Sequence, residues 1–291
     1  MGTNLHAPRT RTPEAQPPPI DLERSVGLGL DRTSVAPLHL TMITQLEPPA
    51  NRPQAKHFCA LEPTITPEAA SLHRTAMTQP GVYFTLDAPF VRIIGLFSNS
   101  LEDPGVISSE KGKWTNVPDI QLDYLQAQLS RIKEENYSGA VLLTVHHPPF
   151  SYAPPPKSRG THGNHAGSPN MLRQIDTICK AQGVYPHAIL SGHAHNYQRF
   201  TRTVNTMQIP FLVAGCGGHS PLSPMRATYR TPYKIDNTLT LENYDTTDYG
   251  YLRVIVNATT MRIEFHPQHD GGTTKTPNDA VTVTLATHAV S

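Results

Sequence analysis

Apolar and polar positions change rhythm twice along this chain. Residues 1–56 show no sustained period and contain Pro17-Pro18-Pro19 and Pro48-Pro49, so they read as a low-complexity, disordered leader. Within them only Leu38–Ile43 has the look of a strand. From Phe58 the pattern sharpens. Val82–Leu86 is rich in β-branched and aromatic residues and predicts a strand; Val91–Phe97 predicts a second, buried one. Pro118-Asp119 opens a helix in which Leu122, Leu125, Leu129 and Ile132, spaced three, four and three, form one apolar stripe. Ala140–Val145 is apolar on both faces, as a buried strand is. Ser151–Gly167 is too long for a simple connection and reads as an active-site loop or a mobile lid. Ser168 then caps a helix with Pro169 at its first position; Met171, Leu172, Ile175 and Ile178 line its buried face and Gly183 ends it. Ala188–Leu190 and Phe211–Ala214 are further short strands, the latter followed by Gly215-Cys216-Gly217-Gly218, a tight turn or a close backbone approach.

After about residue 250 the rhythm becomes simple alternation. Tyr251–Val256, Met261–Phe265 and Val281–Leu285 predict an antiparallel meander. Alternating strand and helix followed by strand alone predicts an α/β layered fold in which two sheets pack face to face, over residues 57–291.

Composition narrows the function classes. A net charge of +1 gives no reason to expect a nucleic-acid or membrane-surface partner. No apolar run approaches the roughly 18 residues of a membrane span, and the first residues carry no apolar signal core, so the cytoplasm is the default compartment. Cys59, Cys179 and Cys216 are too sparse for a disulfide framework or a zinc-cysteine site and read as buried thiols. The 28 prolines are about twice the usual share of roughly 5%. Histidine, with 15 residues, is also abundant and clusters after position 145.

Two of those histidine groups stand at strand ends. His146-His147-Pro148-Pro149 follows Ala140–Val145, and Gly192-His193-Ala194-His195 follows Ala188–Leu190. Ligands of open α/β sheets bind at that end of the strands, and neutral imidazole suits zinc, iron or manganese. A lone His-x-His is more often a pair of ordinary loop histidines; two groups after neighbouring strands favour a metal site.

Val141–Phe150 together with Ile189–Phe200 resembles the calcineurin-like metallophosphoesterases, which include purple acid phosphatases and many bacterial phosphoesterases; Thr75–Leu86 and Ile94–Asn99 also look like segments of bacterial members. The resemblance covers about Phe58 to Val256. It implies an α-β-β-α sandwich, two divalent ions (Fe, Mn or Zn) bridged by an aspartate, and hydrolysis of a phosphomonoester or phosphodiester. By that pattern His146, with His147 as the alternative, and His193 ligate one metal and His195 the other. His147 and Arg199 are then candidate contacts for substrate phosphate, with a structural salt bridge as the equal alternative for Arg199.

The family pattern also breaks. It begins with Asp-x-His, Gly-Asp and Gly-Asn-His followed by an acid, all before the His-Pro turn. This chain has no Asp-x-His and no Gly-Asp, and its one Gly-Asn-His, Gly163-Asn164-His165, falls after His146, inside the Pro-rich loop, with Ala166 in place of the acid. That triplet reads as a decoy, and His162 and His165 as loop histidines bordering the site. Two adjacent dications need anionic ligands to offset their repulsion, which three imidazoles do not supply. The expectation is therefore the C-terminal portion of a metallophosphoesterase, a sandwich incomplete at its N-terminus. Its dinuclear site is doubtful, its catalytic residues are unassigned, and it self-associates through an exposed sheet edge. Asp21, Asp31 and Glu47 are the candidates to replace the missing ligands. The rivals are an inert relic holding at most one metal and a β-rich binding module with incidental histidines.

Overall fold

The computed structural model describes residues 77–291, apart from 79, 102–104, 154–164, 219 and 269–275. The leader, its candidate strand, Cys59, His162, Asp21, Asp31 and Glu47 lie outside the described residues.

A nine-stranded mixed sheet forms the centre, in the order β1-β2-β3-β4-β5-β7-β6-β9-β8. These strands are β1 (Met77–Thr78), β2 (Phe84–Ala88), β3 (Val91–Leu96), β4 (Ala140–Val145), β5 (Ala188–Ser191), β6 (Tyr197–Val204), β7 (Met207–Ala214), β8 (Tyr233–Lys234) and β9 (Leu239–Asp245). β3, β4, β5 and β7 run parallel and the outer strands antiparallel. A second sheet is the meander β10 (Tyr249–Val256), β11 (Thr260–Gln268) and β12 (Asp279–Thr284). Helices α1 (Ile120–Glu134) and α2 (Pro169–Gln182) complete the described elements.

The two faces of the central strands bury against different partners, which is why those strands are apolar throughout. Ile94, Val141, Leu143, Val145 and Ile189 pack on Leu125, Leu129 and Ile132 of α1 and Met171, Leu172 and Ile175 of α2. Val91, Ile93, Ala140, Leu142, Ala188 and Leu190 face Leu252, Val254, Met261, Ile263, Phe265, Val281 and Val283 of the meander. Side chains alternate across a strand, so a run such as Ala140–Val145 serves both layers. Each fully buried Leu or Ile among them contributes roughly 1.5–3 kcal/mol. The expected face-to-face sheets are present. The outer helical layer of an α-β-β-α sandwich is not found among the described residues, which form three layers, helix, sheet and sheet.

Local predictions fared unevenly. The β4 range and the α2 range match the sequence reading, with Gly183 left-handed at φ 70° beyond the last turn of α2. Ser168 does sit at the N-cap, but its hydroxyl makes no cap; it donates to the Gly105 carbonyl at 2.7 Å and ties the helix start to the loop after β3. The strand predicted at Val82–Leu86 is shifted to Phe84–Ala88. Strands β6, β8 and β9 had no counterpart in the reading, because their polar positions hide the alternation. Cys179 and Cys216 are buried free thiols, and burial pushes both up to about 12. Sheet edges are blunted by the two-residue strands β1 and β8, whereas the eight-residue β10 has only β11 beside it among the described residues.

Candidate functional site

The carboxyl ends of β3, β4, β5 and β7 bring four loops to one edge. The Gly192 N–H donates to the His146 carbonyl at 2.9 Å, so the two histidine loops are joined by their own backbones. Below them, the Gln121 side chain of α1 clasps both backbone groups of Phe97, accepting from its N–H at 2.7 Å and donating to its carbonyl at 2.8 Å. That clasp fixes Ser98, whose buried hydroxyl accepts the His147 N–H at 3.0 Å and lies 2.9 Å from His147 Nδ1. Two glycines allow the close packing. A Cβ on Gly105 would lie 2.2 Å from His147 Cβ, and one on Gly215 would lie 2.0 Å from the Ala194 carbonyl oxygen. The turn after β7 is thus a close backbone approach to the histidine loop.

The predicted histidines come together. His146 Nε2 and His193 Nδ1 are 3.3 Å apart, and their ring centroids are 5.1 Å apart. His147 is buried, with its centroid 4.1 Å from that of His193 and 5.0 Å from that of His146. His193 adopts φ 63°, left-handed backbone that a non-glycine residue takes up at a cost. Two tight turns, Ala194 N–H to the Gly192 carbonyl and Asn196 N–H to the Ala194 carbonyl, both at 2.7 Å, hold it there.

One residue read as a decoy joins them. His165 lies with its ring centroid 4.9 Å from that of His193 and 4.7 Å from that of His195. It is delivered by the pairing of Ala166 with Tyr152, which closes the two ends of the long loop. The sequence predicts only that this loop borders the site; that His165 meets His193 and His195 depends on where the loop returns in space. The residues flanking His195 form a buried polar frame. Asn196 and Gln198 are fully buried, and Gln198 Nε2 donates to Asn196 Oδ1 at 2.8 Å.

Arg199 forms the salt bridge instead of reaching the histidines. Its Nε and Nη2 donate to Asp279 of β12 at 2.7 and 2.9 Å, and Tyr197 Oη donates to the same carboxylate at 2.7 Å. This clamp joins the two sheets.

Electrostatically His146 is placed to stay neutral. Burial, then the neighbouring charges of His193 and His195, push His146 down to about 4, so its imidazole keeps a lone pair at neutral pH. The 3.3 Å between His146 Nε2 and His193 Nδ1 matches an edge of about 3.4 Å between two nitrogens on one tetrahedral zinc-type ion. Among the described residues, however, no three His, Cys, Asp or Glu side chains stand ready to hold an ion. The donors brought together among the described residues are imidazoles, which carry no negative charge to offset two adjacent dications.

No family model and no curated protein matches the chain. Solved structures that are similar to it include the following two. One is GAP50, titled the anchor in the inner membrane complex of Plasmodium, at 11% identity and a TM-score of 0.41 over 72% of this chain and 53% of that one. The other is PhoD, at 10% identity and a TM-score of 0.45 over 74% of this chain and 44% of that one. The matches span about half the length of those proteins, and likeness of this size carries no argument about activity. No helix among the described residues is long and apolar enough to cross a membrane.

Proposed function

We propose that the chain is a metal-dependent phosphoester hydrolase, acting on a phosphomonoester or a phosphodiester, with His146 and His193 as ligands to a divalent ion. The observation that carries this reading is the meeting of His146 and His193, nitrogen to nitrogen, where the parallel strands β4 and β5 end. A bound Fe, Mn or Zn ion would supply Lewis-acid charge against phosphoryl oxygens. His146 stays neutral and offers its lone pair. Ser98 holds His147 beneath the His193 ring. The backbone bond from Gly192 to His146 keeps the two loops in register, which limits the reorganisation that binding requires. His165 stands beside His193 and His195, within reach of the same space. The net charge of +1 gives no reason to expect a nucleic-acid substrate.

A second reading has its own support. Among the described residues no group of three His, Cys, Asp or Glu side chains could hold an ion, which favours an inert relic that binds one metal weakly. Metal content after loading with manganese, iron or zinc and desalting, wild type beside His193→Ala, separates the two. One retained ion, lost in the variant together with hydrolysis of a phosphodiester, is the expected result. No retained ion in the wild type would sink the hydrolase reading.

A further inference from the structure

A group of tyrosines that none of the preceding chemistry uses is linked by hydrogen bonds to the histidine loops. Tyr152 and Tyr229 have ring centroids 5.0 Å apart, and Tyr229 and Tyr233 also 5.0 Å. Tyr233 is 42% exposed, one of three large apolar side chains so exposed among the described residues. The Arg226 guanidinium carbon lies 5.2 Å from the centre of the Tyr152 ring, and the side chain is exposed.

This group is anchored to the histidine loops through buried groups. Tyr152 pairs with Ala166, the residue after His165. Its N–H donates to Gln198 Oε1 at 2.7 Å, and its carbonyl accepts the Arg226 N–H at 2.7 Å. The Ser223 N–H donates to the His195 carbonyl at 2.8 Å, and Asn196 Nδ2 donates to the Ser223 carbonyl at 3.0 Å. Tyr229 is held at its backbone by Tyr244, whose hydroxyl accepts the Tyr229 N–H at 3.1 Å and lies 3.2 Å from its carbonyl. Tyrosines fixed in this way lose little entropy when a ligand stacks on them, and partly exposed rings present a face that favours a flat π-system.

We propose that Tyr152, Tyr229 and Tyr233, with Arg226, form a stacking subsite linked to the histidine loops for the planar aromatic part of the phosphoester, an aryl or nucleobase group. The subsite rests on the hydrolase reading, which places the phosphate at the histidines. Arg226 completes it, because a guanidinium lying over a ring keeps its N–H donors in its own plane, suited to phosphate oxygens. A sugar phosphate lacking a ring system gains nothing from the tyrosines.

The test is calorimetric titration with adenosine 5′-monophosphate, phenyl phosphate and ribose 5-phosphate. The proteins are wild type, Tyr233→Ala, Tyr233→Phe and His193→Ala, each checked by its melting curve. Wild type is expected to bind one or both aromatic phosphates about 5-fold or more tighter than ribose 5-phosphate, and Tyr233→Ala to lose that margin while Tyr233→Phe keeps it. Which aromatic phosphate binds tighter tells nucleobase from aryl. Equal affinity for all three ligands, no binding, or an unchanged margin in Tyr233→Ala would overturn the subsite. His193→Ala is expected to keep the aromatic margin. Hydrolysis by the wild type without any such margin removes the subsite and leaves the hydrolase reading standing. A margin without hydrolysis removes the hydrolase reading alone.

Discussion

Histidines stand at both ends of the parallel strands, and the two groups behave differently. At the amino end of β5, His187 is wedged between layers. Its Nδ1 accepts the Val141 N–H at 2.9 Å and its Nε2 lies 3.0 Å from the Leu285 carbonyl, while His288 stacks on it at 4.1 Å and 12°. Because a backbone N–H can only donate, Nδ1 is the acceptor and Nε2 carries the proton. At the carboxyl end, His146 and His193 present nitrogens to one another. The same side chain is a structural strut where backbone groups use both nitrogens, and a candidate ligand where a second imidazole meets it. Residue type alone does not separate the two roles; the neighbouring atoms do.

The comparison can be broken first at the clamp between the sheets. Arg199→Ala should cost about 3–5 kcal/mol, because it leaves the Asp279 carboxylate buried and unpaired. Chemical denaturation measures this directly. An unchanged midpoint with a raised KM for a phosphoester would instead return Arg199 to the substrate. Next, His187→Ala should cost roughly 2–4 kcal/mol by leaving the Val141 N–H and the Leu285 carbonyl without their partner. Metal content should be unchanged in the folded fraction, and loss of metal there would erase the distinction between the two histidine groups.

Acid should act on the strut in a defined window. Burial lowers His187, and burial with its neighbour His187 lowers His288 from 6.5 to about 4. The unfolded chain therefore binds more protons than the folded one between about pH 6.5 and 4. Stability should be full above that window and fall as the pH drops through it, and melting temperature against pH reads the slope. A His288→Phe variant, which keeps a ring on His187 and removes one titrating group, should lessen the slope without abolishing it, since His146 and His187 are lowered too. The smallest effect lies at the carboxyl end. His193→Gly should raise stability by up to about 1 kcal/mol, by relieving the left-handed backbone at φ 63°. The same change should lose the retained ion. A destabilised variant would mean that the His193 ring packs as a strut after all.

Much of the scaffold was legible along the chain. Ala140–Val145 and the stripe through Leu125, Leu129 and Ile132 announce a buried strand and an amphipathic helix, since both repeat within a few residues. The placing of His146 and His193 at strand ends could be read the same way. Strand β6 could not. Gln198 and Thr201 are buried polar residues, the first partnered by Ser151 and Tyr152 from another segment, and they mask the alternation. Among the described residues the outer helical layer that the family resemblance implied is not found either.

By itself the sequence determined the strongly periodic strands and helices, such as β4 and both helices, and that two histidine loops follow neighbouring strands, because local periodicity and composition act over one or two turns of chain. Only the tertiary structure decided that His165 joins His193 and His195, that Arg199 is bound to Asp279, and that His187 is a strut. Each of those outcomes depends on atoms from distant segments arriving at one place, and their pairing energies exist only once the layers have packed.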